Sequence, residues 1–451
     1  MSARMLEKPV DSTWTDEQWD AIAARGSNVL VAAAAGSGKT AVLVERIIRR
    51  ITDEQQPLSV DNLLVVTFTN AAAAEMRHRI GAALEKEAAA QSSSYLRRQV
   101  TLLNRASITT LHSFCMEVLR RYYYLIDLDP SFRIADSTEA QLLRQEAMED
   151  MLEEEYAAEE NPSFFRLVDS YTGDRGDEAL QHIILRLYEF ARSHPWPDHW
   201  LDDMAAMYRV ETLEDFYGLP WFRYLRHDVE LELNGALALL RQGAEVAQMV
   251  GGPLPYLANF TDDTAVIEEL LTRCAGPWNE LYEAFQRVAF GKLKPCKKKE
   301  CDEALIDKAK KLRDRVKDMI GRLQQEMFAI PPDQYFALNQ EIAPLIDKLI
   351  ALVRRFGARY SERKQAKGLV DFSDLEHYCL RVLRHEEAAP GDLRPSAAAL
   401  EYRAQFGEVL VDEYQDTNEV QETIVRLVTK DSEAEGNLFM VGDVKQSIVR
   451  P

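Results

Sequence analysis

Asn28-Val29-Leu30-Val31-Ala32-Ala33-Ala34-Ala35-Gly36-Ser37-Gly38-Lys39-Thr40 is the stretch whose reading decides the fold. Its apolar run, Val29 to Ala34, predicts a short buried strand, and Lys39-Thr40 opens a predicted helix over Ala41 to Ile51. Strand, glycine-rich turn and helix in that order make a phosphate cradle. Glycines let backbone N–H groups converge on an anion, the helix N-terminus adds partial positive charge, and Lys39 adds a full one. Ala35, Gly36, Ser37, Gly38, Lys39, Thr40 and Ala41 are therefore candidate nucleotide contacts, and the Thr40 hydroxyl suits Mg²⁺. Ala33 stands where the strict G-x-x-x-x-G-K-[ST] pattern has glycine. The plainer alternative is an ordinary strand–helix turn with a surface lysine.

The 451 residues are enough for two or three domains. Hydrophobic content of 46% with 28% charged residues fits a globular protein. No apolar run is long enough to cross a membrane, and Met1 to Thr13 is polar, so the expected location is the cytoplasm. Five scattered cysteines predict reduced thiols. Cys296 and Cys301 are close in sequence but lack the further ligands a metal site needs. The net charge of −20 speaks against general nucleic-acid binding and leaves room for a local basic groove.

Upstream of the loop, Thr15 predicts a helix cap with Gln18 at the third helical position, a capping-box pattern. The Gln18 amide could instead read an adenine edge, which needs a paired donor and acceptor. Downstream, Asn62 to Thr69 predicts a second strand running into an alanine-rich helix from Asn70. A third strand is predicted over Ala106 to His112, ending at Ser113. Residues 125–364 carry long helical patterns, among them 139–156, 177–193, 229–249, 262–290 and 301–328. Strands return at Glu408 to Val411 and Asn437 to Val441, with Asp416 or Thr417 expected to cap the helix that follows the first of them. The expected architecture is α/β: a parallel sheet made by residues 1–124 and 365–451, interrupted by a mostly helical insertion over 125–364. Ligands of such sheets sit outside the carboxyl ends of the strands.

Those strand ends carry chemistry. Asp412 and Glu413 end an apolar strand, the first suited to Mg²⁺ and the second to polarising a water for attack on a terminal phosphate. Gln446 follows the last strand and could contact that phosphate. Phe68 and the polar Thr69, Asn70, Thr110 and His112 end the other two strands.

In order, Gln18, Ala33 to Thr40, Thr67 to Asn70 with Ala72 to Met76, Thr110 to Ser113, Val370-Asp371-Phe372, Leu410 to Asn418 and Val441 to Arg450 resemble the motifs of superfamily 1 DNA helicases of the UvrD and Rep type. Leu111-His112-Ser113-Phe114-Cys115, Leu119 to Pro130, Phe132 to Asp136 and Val444-Lys445 are more closely similar to the AddA family of bacterial helicase–nuclease subunits. The resemblance implies a RecA-like ATP-binding motor in a 3′–5′ helicase of double-strand-break repair and recombination. It implies that Lys39, Thr40, Asp412, Glu413 and Gln446 serve ATP hydrolysis with Mg²⁺, that Gln18 reads adenine, and that Phe68, Thr69, Asn70, Thr110 and His112 line a single-stranded DNA track. It further implies duplex DNA as substrate and an AddB-like partner in a heterodimer. The competing readings are a UvrD-type repair helicase without nuclease, and a nucleotide- and DNA-binding module without turnover.

The chain departs from the family in three places. Ala71 stands where lysine is common, and Val449-Arg450-Pro451 replaces an expected aromatic pair. The second motor domain and nuclease domain of the family are not in these 451 residues, so a truncated chain with little ATPase is expected. In the insertion, Lys292 to Lys299 and then Lys308 to Lys317 form the densest basic segment. It reads as a duplex-DNA grip or, because acids are interleaved over Lys308 to Lys317, as a solvated helix face.

Overall fold

The computed structural model describes residues 8–9, 12–34, 36–171, 176–296, 301–430, 436–443 and 445. Its strands are β1 (Val29–Ala32), β2 (Leu63–Thr67), β3 (Ser107–Thr110), β4 (Arg133–Ile134), β5 (Leu369–Val370), β6 (Glu408–Val411) and β7 (Leu438–Gly442). Five of them form one sheet in the order β1-β7-β6-β2-β3, and every pair is parallel. This is the expected α/β sheet.

Both faces of the sheet are covered, which is why β2 and β6 are apolar without alternation. Side chains still divide by the two-residue period. Leu64, Val66, Val409 and Val411 enter one core with Phe114, Leu375, Tyr402 and Ile424. Leu63, Val65 and Leu410 enter the other with Trp19, Leu43, Ile47 and Ile80.

The first helices in chain order are α1 (Asp16–Ala23), α2 (Lys39–Ile51), α3 (Asn70–Gln91), α4 (Ser94–Leu102), α5 (Leu111–Tyr122), α6 (Ser137–Ala157), α7 (Pro162–Tyr171), α8 (Glu178–Ala191) and α9 (Pro197–Ala206). They continue as α10 (Leu213–Gly218), α11 (Pro220–Gln248), α12 (Leu257–Cys274), α13 (Trp278–Gln286), α14 (Glu303–Glu326), α15 (Pro332–Ala366), α16 (Phe372–Leu383), α17 (Ala397–Gln405) and α18 (Glu419–Val428). Contacts divide the chain into two units: residues 1–161, 168–201 and 351–451, and residues 162–167 with 202–350. The first unit contains the sheet. The second packs α11 against α12 and α14 around Leu240, Phe260, Phe285 and Val316. Gly243 allows that approach, because a Cβ there would lie 2.2 Å from the Phe260 ring.

Several expectations need correction. The third strand stops at Thr110, whose hydroxyl accepts from the Ser113 N–H at 3.3 Å, so Leu111 and His112 begin α5 instead of ending β3. The helix expected over 262–290 breaks at Gly276-Pro277 into α12 and α13. Proline lacks the N–H that continuation needs, and the Arg226 guanidinium donates to the Cys274 and Gly276 carbonyls instead. Asn418, not Asp416 or Thr417, caps α18, accepting from the Gln421 N–H at 2.8 Å. Strands β4 and β5 pair with each other across more than 200 residues, and two residues each are too short for a sequence signal. In the basic stretch 308–317, Arg313 is not solvated. It is 1% exposed and forks onto Asp263 at 2.5 and 3.1 Å.

Candidate functional site

Because the five strands are parallel, their carboxyl ends line one edge. The order puts β1, β7 and β6 on one half of that edge and β2 and β3 on the other. Two groups of candidate residues therefore lie side by side.

The first group surrounds the loop after β1. Gly36 and Gly38 have φ of +75° and +81°, a region that favours glycine. Gly38 is the residue before α2, so the loop delivers Lys39 and Thr40 to the first turn of that helix, with Ala41 behind them. The Ser37 hydroxyl and the Lys39 ammonium are both buried and make no hydrogen bond among the described residues. Unmade hydrogen bonds of buried groups cost about 1–3 kcal/mol each, more when charged. An anion in the cradle would satisfy both, so these residues fit a nucleotide phosphate. Ala35 lies outside the described residues.

Gln18 reaches this loop from α1. Its Nε2 donates to the Ser37 carbonyl at 2.9 Å, while its Oε1 accepts from the Thr15 N–H at 3.0 Å in a full capping box. The expected capping role is thus met, and the same side chain also touches the phosphate loop.

Asp412 and Glu413 follow β6. Asp412 extends the ladder, its N–H donating to the Val66 carbonyl at 2.9 Å. Glu413 has φ of +53°, a strained value for a residue with a Cβ. That turn sends its carboxylate to within 3.8 Å of Lys39 Nζ. Burial, then the neighbouring Glu413 charge, pushes the Asp412 carboxyl above the usual range, with Lys39 opposing. A dication beside Asp412 and Thr40 would reverse that shift.

Gln415 ties the arrangement together. Its Nε2 donates to Glu413 Oε2 at 2.7 Å, and its Oε1 accepts from the Asp443 N–H at 2.8 Å. Gly442 makes room for it, since a Cβ there would fall 2.7 Å from that same oxygen. The Gly442 carbonyl in turn accepts from the Ala33 N–H at 3.0 Å. The ends of β1, β7 and β6 are thereby fixed to one another. Gln446 lies outside the described residues.

The second group lines an open groove of about 1060 Å³ over β2 and β3. Phe68 projects into it with 55% exposure. Thr69 and Thr110 line it too, but their hydroxyls cap α3 and α5. Asn70 is exposed at the first position of α3. His112 meets the Phe372 ring edge-on, centroids 5.1 Å apart, and its Nε2 lies 3.1 Å from Glu376 Oε1. Phe372 is 56% exposed and gives the groove a second open aromatic face. The sequence marks it only as part of the Val370-Asp371-Phe372 motif, with no contact assigned to it, and it follows the Asp371 cap of α16. Arg120 and Arg121 also line the groove, beside Glu117, and Arg121 is paired with Glu401 at 2.7 Å.

Phe372 is held by an ionic cluster beneath it. Lys364, 2% exposed, donates to Asp371 at 2.9 Å and to Asp374 at 2.5 Å, and Arg192 reaches Asp374 at 3.1 Å. Burial raises the Asp371 carboxyl, but Lys364 and the Asp374 N–H outweigh it and hold the group below its ordinary value.

Residues 14–450 match the family described as UvrD/REP helicase N-terminal domain. The chain is 54% identical over all 451 residues to AddA, the ATP-dependent helicase/nuclease subunit of Geobacillus kaustophilus, and 55% identical over 451 residues to its counterpart in Geobacillus thermodenitrificans. It is 53% identical over 446 residues, 99% of the chain, to the counterpart in Bacillus licheniformis. It spans 36% of the length of each of these relatives. Among the described residues, no helix is long and apolar enough to cross a membrane.

Proposed function

The chain belongs to the UvrD/REP helicase family, in its N-terminal domain, and from that premise we propose that it is the ATP-binding motor region of an AddA-type DNA helicase–nuclease. The observation that carries the reading is the pair of buried donors without a hydrogen-bond partner among the described residues, Ser37 Oγ and Lys39 Nζ, set against the carboxylates after β6. In this reading residues 1–124 and 365–451 form the motor and 125–364 an accessory insertion. The protein acts in the cytoplasm on single- and double-stranded DNA, in double-strand-break repair, with an AddB-like partner.

Each side chain then has a task. The backbone of residues 35–41 and Lys39 hold the phosphates of ATP. Gln18 reads adenine after its amide leaves the Ser37 carbonyl. Thr40 and Asp412 hold Mg²⁺, which supplies charge neutralisation on the phosphate oxygens. Glu413 accepts the proton of the attacking water, and its link to Gln415 keeps the carboxylate aimed. Gln446 senses the terminal phosphate. Phe68 and His112, with Thr69, Asn70 and Thr110, bind single-stranded DNA, and stacking on Phe68 makes the grip tolerant of sequence. Turnover in phosphoryl transfer of this kind gains ~10³–10⁵ from an arginine supplied by a second element. The relatives' remaining length is where that arginine is expected.

The test is a pair of titrations on the wild-type chain, Lys39→Ala and Phe68→Ala, using a fluorescent ATP analogue and a labelled oligo(dT). Lys39→Ala should lose nucleotide and keep DNA, and Phe68→Ala the converse. Undiminished nucleotide affinity in Lys39→Ala would remove the site assignment.

A further inference from the structure

In the second unit, the chain between α13 and α14 is pinned at two places, one before Cys296 and one after Cys301. On the entering side, the buried Asn259 side chain of α12 donates from Nδ2 to the Lys292 carbonyl and accepts at Oδ1 from the Lys294 N–H, both at 3.0 Å. Arg313 of α14, held by its buried pair with Asp263, donates to the Gly291 carbonyl at 2.7 Å. On the leaving side, the Asp302 N–H donates to the Gly251 carbonyl at 2.7 Å, and its carboxylate caps α14 by accepting from the Ala304 N–H at 2.8 Å. Cys296 and Cys301 sit just inside these two anchors, partly exposed, with their sulfurs in contact at 2.6 Å.

We propose that Cys296 and Cys301 form a reversible dithiol–disulfide site. Most of the entropy of bringing two side chains together is already removed by the anchored stems, so the second thiol is presented at high effective concentration. Access for an oxidant comes from their partial exposure. Cys115 and Cys379 offer the contrast: both are fully buried in the core of the first unit, and burial pushes the Cys115 thiol well above its ordinary value. A core thiol held protonated is a poor nucleophile. Among the described residues no third histidine, cysteine, aspartate or glutamate joins the 296/301 pair in a metal-binding group.

The chemistry is thiol–disulfide exchange with a small-molecule disulfide such as oxidised glutathione. One protein thiolate attacks that disulfide, forming a mixed disulfide and releasing one glutathione. The second protein thiolate attacks the mixed disulfide at the protein sulfur, closing the 296–301 bond and releasing the other glutathione. The two protons lost by the protein thiols end on the two glutathiones, and the protein is oxidised by two electrons. The bond closes a covalent ring that includes Lys297-Lys298-Lys299-Glu300, a basic stretch in the sequence of an acidic chain.

The wild-type chain is equilibrated in buffers of graded reduced-to-oxidised glutathione, quenched with acid, alkylated after denaturation and mapped by peptide mass. The expected result is one two-electron transition in which the thiols at 296 and 301 disappear together as an internal disulfide, while Cys115, Cys274 and Cys379 stay alkylatable. In Cys301→Ser, Cys296 should instead carry a glutathione adduct. Separate adducts on Cys296 and Cys301 in the wild type overturn the proposal. So does a pair still fully reduced in the most oxidising buffer, or one that resists oxidation until a chelator is added. The wild-type map decides even where a serine variant does not fold.

Discussion

Glu408 opens β6 with its carboxylate in the interior, 2% exposed, and two arginines of α2 converge on it. Arg46 Nε donates to one oxygen at 2.5 Å and Arg50 Nε to the other at 2.6 Å. Arg46 is itself buried, donates to the Ala21 and Ala24 carbonyls at the end of α1, and lies over the Phe439 ring at 4.3 Å. One carboxylate therefore joins the helix behind the phosphate loop, the helix carrying Gln18 and two strands of the sheet. Glu408→Gln keeps the shape and removes the charge. Breaking a buried pair by losing one partner costs about 3–5 kcal/mol, because the other charge stays buried. Arg50, half of this cluster, reaches solvent, so we expect the lower end, about 3 kcal/mol. The assay is urea unfolding of Glu408→Gln, Arg46→Met and the double variant, followed by tryptophan fluorescence. Trp19 lies in the core that α1 and α2 share, so it reports on this region. The two losses should be strongly non-additive, with an interaction energy of about 2 kcal/mol or more. Additivity within about 0.5 kcal/mol would refute the reasoning, since it would mean that the two groups do not depend on each other.

His377 donates from Nε2 to the Arg192 carbonyl at 2.8 Å, and burial, then the Arg192 charge, lowers its pKa to about 4. The unfolded chain binds a proton there near pH 6.5 and the folded chain does not. Stability should thus be flat above about pH 6.5 and fall by about 3 kcal/mol as pH drops toward 4; His377→Gln should flatten that part of a stability–pH curve, and an unchanged slope counts against the assignment. Phe68→Ala and Phe372→Ala should each weaken oligo(dT) binding by about 1–3 kcal/mol with no change in melting temperature, because both rings are exposed. Gly442→Ala should displace the Gln415 side chain, since the added carbon would lie 2.7 Å from its Oε1; weaker nucleotide binding in a folded variant is the expected readout, and wild-type affinity would contradict it.

Much of the sheet is legible in the sequence because parallel strands buried on both faces leave unbroken apolar runs. Glu408 to Val411 matches β6 residue for residue. The loop at Gly36 to Thr40 is legible for the same kind of reason: its chemistry is carried by consecutive residues. What is not legible depends on partners far away in sequence. Glu408 looks like a solvated strand start until Arg46 and Arg50 arrive from 358 to 362 residues upstream. Arg313 looks like part of a charged surface because its partner Asp263 is 50 residues away on another helix. His112 reads as the end of a strand because the β-branched run Ile108 to Thr110 and then Leu111 precede it, whereas Thr110 commits its hydroxyl to starting the helix. Phe372 stands between Asp371 and Ser373 in a stretch that resembles a helicase motif, but that resemblance does not say that its ring stays outside.

The strand order also dictates a schedule. Among the described residues strand β1 pairs with β7 alone, and β7 begins 409 residues later. On a ribosome adding roughly 5–20 residues per second, that interval is on the order of 20–80 s. Strands β2 and β3, only 40 residues apart, can dock early, and β6 can join them before β7 exists. The phosphate loop is thus translated long before its sheet neighbour. Until then Val29 to Ala32 is an unpaired apolar segment, open to any other strand edge. A nascent chain of this protein should therefore be most vulnerable to mispairing at its earliest-made strand, and nucleotide should be unable to help until synthesis has passed Gly442.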